Sequence, residues 1–203
     1  MIHEAFGLTD DTRLQADRLA AAGYLAVAPD LFARGGALRC VKATFSALMA
    51  DEGQPFDDIE ATRGWLGGRD DCRGRTGVIG FCMGGGFALM TAARGFDVSA
   101  PNYGVLPKDL DAALRGACPM VASYGGRDRA LKGAAAKLER ALTSAGIDHD
   151  VKEYPHAGHS FMNRHNSGPF AVVERVAGLG YHQASAEDAW RRILAFFHAR
   201  LNA

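Results

Sequence analysis

Several things are scarce or missing in this sequence, and each absence excludes a class of protein. No apolar run in the 203 residues approaches the roughly 20 needed to cross a bilayer. The first residues carry no basic stretch followed by an apolar one, so no secretory leader is expected and a cytoplasmic protein is. Neither sign of charge dominates: 23 Lys and Arg balance 23 Asp and Glu. That excludes the basic footprint of a nucleic-acid or membrane-surface binder. Cysteine is sparse, and Cys40, Cys72, Cys82 and Cys118 form no C-x-x-C pair. No His, Cys or carboxylate cluster has metal-ligand spacing, so reduced thiols, no metal and no cofactor are expected. Internal repeats, low-complexity tracts and linkers are missing too. With 48% apolar and 23% charged residues, the chain reads as one domain over residues 1–203, large enough to bury a core.

What is present is an alternation of β-forming runs and helix-period segments. Strands are expected at Tyr24 to Pro29, Thr76 to Phe81, Val98 to Tyr103, Met120 to Tyr124 and Asp150 to Tyr154. Helices are expected at Asp11 to Ala22, Asp57 to Leu66, Gly84 to Ala93, Lys132 to Ala145 and Ala186 to Leu201, with a further helix at Val41 to Met49. Thr9 or Asp10 can cap the first helix and Gly23 stop it, Gly146 ends the fourth, and Ser185 with Asp188 resembles a capping box. This order predicts an α/β fold, a mostly parallel sheet flanked by helices, with its ligand crevice beyond the carboxyl ends of the strands. Asn163 to Gly180 resists regular assignment and reads as a binding loop. The opening Met1 to Gly7 reads as the end of a strand and a loop, so strands that would precede it are expected to be missing or shortened.

The most informative stretch is Gly80-Phe81-Cys82-Met83-Gly84-Gly85-Gly86. An apolar run precedes it, a helix-forming run follows, and a glycine stands two residues to either side of a cysteine. This is the layout of a nucleophile elbow, a strained strand-to-helix turn that exposes its central side chain, with Cys82 where hydrolases usually carry Ser. A helix N-terminus behind such a residue favours a developing anion. A thiol nucleophile needs a base, and the base an orienting group. In chain order the acid and then the His should follow. Asp128 lies just past the expected strand Met120 to Tyr124, and His159 lies on the loop after Asp150 to Tyr154.

Six segments together resemble the dienelactone hydrolase family of α/β-hydrolases. They are His3-Glu4-Ala5-Phe6-Gly7-Leu8, Pro29-Asp30-Leu31-Phe32-Ala33-Arg34, Gly80 to Gly85, Gly125-Gly126-Arg127-Asp128, Ala157-Gly158-His159-Ser160-Phe161 and Ala186-Glu187-Asp188-Ala189-Trp190. They occur in the family's order over nearly the whole chain. The resemblance implies an α/β-hydrolase fold and hydrolysis of small ester, lactone or thioester substrates through an acyl-enzyme, by a monomer or homodimer. It assigns Cys82 as nucleophile, His159 as base and then acid, and Asp128 as orienter. It further assigns Glu4 as a modulator of the thiol, and the backbone N–H groups of Ala5 and Met83 as the oxyanion hole. The chain departs from the family where a carboxylate-binding Arg, four residues after the catalytic His, is replaced by Asn163. Loss of a bidentate Arg contact removes a substrate anchor, so a broader esterase is expected at least as much as a dienelactone-specific enzyme.

Alternatives stand beside several of these residues. His156 competes with His159, and only His159 follows Gly158 in the matched pattern. His3 reads as a packed group, and His149, His165, His182 and His198 as surface or loop residues. Arg34 could touch substrate or pair with Asp30 or an acidic helix. Phe6, Phe32, Tyr103, Tyr124 and Phe161 could wall the pocket or fill the core, and Asn163 could meet substrate. The rival from another class is a non-catalytic thiol or dimerisation protein on a shortened hydrolase fold.

Overall fold

A computed structural model describes residues 1–164 and 180–202. Four parallel strands run in the order β1 (Gly77–Phe81), β2 (Val98–Asn102), β3 (Met120–Gly125) and β4 (His149–Tyr154). Seven α-helices are found among the described residues: α1 (Asp10–Ala21), α2 (Ala37–Ala50), α3 (Gln54–Gly67), α4 (Met83–Met90), α5 (Leu110–Ala113), α6 (Ala134–Ser144) and α7 (Gln183–Leu201). The pleat sends alternate side chains to opposite faces, so β1 splits its apolar residues. Ile79 and Phe81 pack with α1 and α7, around Trp190, Ile193 and Phe197. Val78 packs on the other side with Phe87 of α4, Leu48 of α2 and Phe56 of α3. Both faces of the sheet are therefore covered, which is why its strands read as continuous apolar runs.

Local chemistry explains most of the element ends. Thr9 caps α1 in a reciprocal pair with Thr12. Pro55 stands in the first turn of α3, where its missing N–H costs nothing. Arg192 fastens α7 to the sheet: its guanidinium donates to Asp150, to the hydroxyls of Ser123 and Tyr154, and to the carbonyl of Ala122.

Two expectations need correction. Tyr24 to Pro29 joins no ladder among the described residues. The backbone beside it is Met1 to His3, which gives one bond to Val27 O (2.7 Å) and a single bridge from Ile2 to Gly80. A strand needs a run of such bonds. The Ser185–Asp188 capping box is also not formed. The last helix starts earlier, with His182 accepting from Ser185 N, and Asp188 is taken by Lys152 and Tyr154. His165 and most of the expected Asn163-to-Gly180 binding loop, residues 165–179, lie outside the described residues. No helix among the described residues is long and apolar enough to cross a membrane.

Candidate active site

The site forms at the carboxyl ends of β1, β3 and β4. Cys82 sits between β1 and α4 at φ 54° and ψ −115°, a left-handed backbone that L-residues adopt under strain. Two bonds hold it there, Cys82 N to Asn102 O (3.1 Å) and Gly86 N to Cys82 O (3.2 Å). The glycine before it is required sterically: a Cβ on Gly80 would lie 1.9 Å from the carbonyl oxygen of Gly84. Strand and helix can approach this closely only without that side chain.

Asp128 and His159 come from successive loops tied together by backbone bonds. Gly126 N donates to Tyr154 O (2.8 Å) and Arg127 N to Ala157 O (2.9 Å). The two side chains consequently meet: His159 Nδ1 lies 2.6 Å from Asp128 Oδ2, and His159 Nε2 lies 3.1 Å from Cys82 Sγ. A carboxylate only accepts, so Nδ1 carries the proton and Nε2 is turned to the sulfur. The other Asp128 oxygen accepts from Ala130 N and Leu131 N. Burial opposes the Asp128 anion, but the bond from His159, its charge and these N–H groups outweigh burial and hold the carboxyl below its usual range. Burial likewise opposes the His159 cation, yet the bonds to Asp128 and Cys82 and their charges prevail and push its pKa up to about 10.

Glu4 is buried beside this line. Burial pushes its carboxyl up to about 8, reinforced by the charge of Asp11 and opposed by that of His159. His3 fixes the segment that carries it. Leu31 N donates to His3 Nε2 (3.0 Å), which leaves Nδ1–H to donate to Glu4 O (2.7 Å). Burial lowers the His3 pKa, against the Glu4 bond and the Asp30 charge, which suits this neutral tautomer. The chain then turns through Ala5, closed by Gly7 N to Glu4 O (3.1 Å). The start of α4 lies against this segment, since a Cβ on Gly84 would fall 2.3 Å from Ile2 O. Met83 N–H belongs to the first turn of α4, whose donors have no partner within the helix.

The residues expected to touch substrate each have partners within the protein. Arg34 forms a two-bond ion pair with Asp58 of α3 (2.6 and 3.1 Å), the acidic-helix alternative. Tyr124 is buried in the core beside α6, its hydroxyl donating to Gly104 O. Phe161 is buried and packs on Tyr103 and Tyr154. Both are buried in the core, Tyr124 near the end of β3 and Phe161 on the loop after β4. Asn163 is buried too: its Nδ2 donates to Asp11 Oδ2 (2.7 Å), and its Oδ1 accepts from the hydroxyl of Tyr103. Asp11 escaped the sequence reading. A carboxylate in a first helical turn ordinarily serves the helix dipole, and nothing local sets this one apart. A cavity of about 520 Å³ lies at the opposite end of β1, lined by Tyr24, Arg75, Gly77 and Phe197, and holds none of Cys82, Asp128 and His159.

Residues 1–201 match the model of the dienelactone hydrolase family. A carboxymethylenebutenolidase of Rhodococcus opacus is 30% identical, over 99% of this chain and 80% of its own length. A Salmonella typhimurium protein provisionally given the same name is 29% identical, over 97% of this chain and 75% of its own. The crystal structure of a Klebsiella pneumoniae protein, provisionally named a dienelactone hydrolase, superposes with a TM-score of 0.71. It is 25% identical, over 97% of this chain and 84% of that one.

Proposed function

Because the chain belongs to the dienelactone hydrolase family, we propose that it hydrolyses small esters, lactones or thioesters through an acyl-enzyme on Cys82. The observation that carries the reading is the line Cys82–His159–Asp128, with contacts of 3.1 and 2.6 Å at a strained strand-to-helix turn. In this mechanism the sulfur of Cys82, as thiolate, attacks the substrate carbonyl carbon, and the carbonyl π pair moves to oxygen. The N–H groups of Met83 and Ala5 receive that oxyanion. One such donor is worth roughly 2.7–4 kcal/mol in related chemistry. Collapse breaks the bond to the leaving oxygen or sulfur, which takes the proton on His159 Nε2. His159 then removes a proton from water, the hydroxide attacks the thioester, and the Cys82 thiolate leaves as the carboxylic acid forms. Asp128 keeps the imidazole in one tautomer and stabilises its cation throughout. Glu4, whose carboxyl is protonated up to about pH 8, adjusts the charge state of the thiol.

Asn163 in the Asp11–Tyr103 network leaves no cation at that position for a substrate carboxylate. Neutral esters and lactones are the favoured substrates on that ground. Intact mass spectrometry after mixing with an activated aryl ester tests the reading. One acyl group should accumulate on the wild type and none on Cys82→Ala. An adduct on the variant, or turnover undiminished by it, would refute the assignment.

A further inference from the structure

We infer that Tyr103, Asn163 and Asp11 form a relay that fixes the plane of the His159 ring, making Tyr103 and Asp11 positioning residues. The inference rests on the hydrolase reading above. A hydrogen bond from Nδ1 to Asp128 fixes one point of the imidazole. It leaves the ring free to swing about that bond, carrying Nε2 away from the sulfur. A second contact is needed to stop the swing. The ring of Tyr103 provides it, edge-on to His159 with centroids 5.4 Å apart at 65°.

Tyr103 is in turn held at both ends. Its backbone donates to Ser123 O at the end of β3 (2.7 Å), and its hydroxyl donates to Asn163 Oδ1. The direction of that last bond is set further along. Asp11 can only accept, so it turns the Asn163 amide with Nδ2 toward itself and Oδ1 toward Tyr103. The same carboxylate takes Arg164 N (2.9 Å), and Gln15 on the same helix donates to Met162 O (2.8 Å). Helix α1 therefore grips the segment after His159 at three consecutive residues. Asp11, Asn163 and Tyr103 are all buried, so each bond in the relay is shielded from water.

Backbone strain points to the same place. Among the described residues, four that are not glycine have positive φ, and three cluster here: Cys82 (54°), Tyr103 (39°) and Ser160 (59°). For a bulky side chain such a conformation is strained and persists only where the surroundings impose it. Here it aims the sulfur, the tyrosine ring and the imidazole at one another.

The test uses Tyr103→Phe, which keeps the ring and loses the hydroxyl, and Asp11→Asn, which keeps the shape and loses the fixed polarity. With an activated aryl ester, each should lower kcat about 10- to 100-fold and leave KM within about twofold, the scale set by an ångström-level misplacement. The double variant should be no slower than the slower single variant, because both break one relay. The pH profile of Cys82 alkylation by iodoacetamide should shift in both. Alkylation needs no substrate, so it reads the relay even if ester turnover fails. A wild type with neither turnover nor acyl adduct sinks the hydrolase reading, whereas unshifted alkylation profiles sink the relay. Wild-type kcat in both variants, or losses that multiply in the double, would also overturn the relay.

Discussion

Replacing Glu4 by Gln should change how stability depends on pH, by an amount that follows from its burial. The folded carboxyl titrates at about 8 and the unfolded one at about 4.5. Below 4.5 both states bind the proton and the group contributes nothing. Between the two values the folded state holds more protons than the unfolded one, so stability falls as pH rises, and above 8 the loss levels off. At 1.36 kcal/mol per unit, Glu4 should remove roughly 4 kcal/mol of stability between pH 5 and pH 9. Glutamine keeps the shape and cannot ionise. The other ionisable groups titrate in both proteins, so the difference between variant and wild type isolates this one. Urea unfolding at half-unit steps from pH 5 to 9 measures it. The variant should gain on the wild type up to about pH 8 and then level off, by about 2 M in midpoint at a slope near 2 kcal/mol/M. A difference flat within about 1 kcal/mol over that range would refute the claim that burial dominates at Glu4.

Three further outcomes are expected. His159→Ala should reduce kcat/KM for an activated ester about 10³-fold or more, since the proposed base is lost and Asp128 is left with nothing to orient, while exposed His156→Ala should stay within about twofold in the same assay. Asp128→Asn should cost roughly 10³-fold in kcat with little change in KM, because the amide no longer fixes the imidazole tautomer, and steady-state kinetics will show it. Arg192→Met should destabilise the fold by about 1–3 kcal/mol in urea unfolding, since the hydroxyl of buried Ser123 and the carbonyls of Ala122 and Asp150 each lose a donor.

Much of this molecule is written locally. All four strands of the sheet lie where the β-forming runs predict, and the elbow can be read from Gly80, Cys82 and Gly84 because a close strand–helix approach excludes side chains. Tyr24 to Pro29 has the composition of a strand and is not one, because pairing depends on what lies alongside, and composition carries no record of that. The burial of Tyr124 and Phe161 is of the same kind. An aromatic in or after a strand looks the same whether the space beyond it is a crevice or a helix.

The sequence by itself determined the layered parallel fold, the order Cys82, Asp128, His159 along the chain, and the family to which the chain belongs, since each rests on residue types at fixed spacing. Tertiary structure alone decided the 3.1 Å contact of Cys82 with His159, the shift at Glu4 and the recruitment of Asp11 to Asn163, 152 positions away. Distances and desolvation depend on which groups the packed chain brings together. Asp11 in its own helix is an ordinary first-turn carboxylate, and only the fold sets it behind the histidine loop.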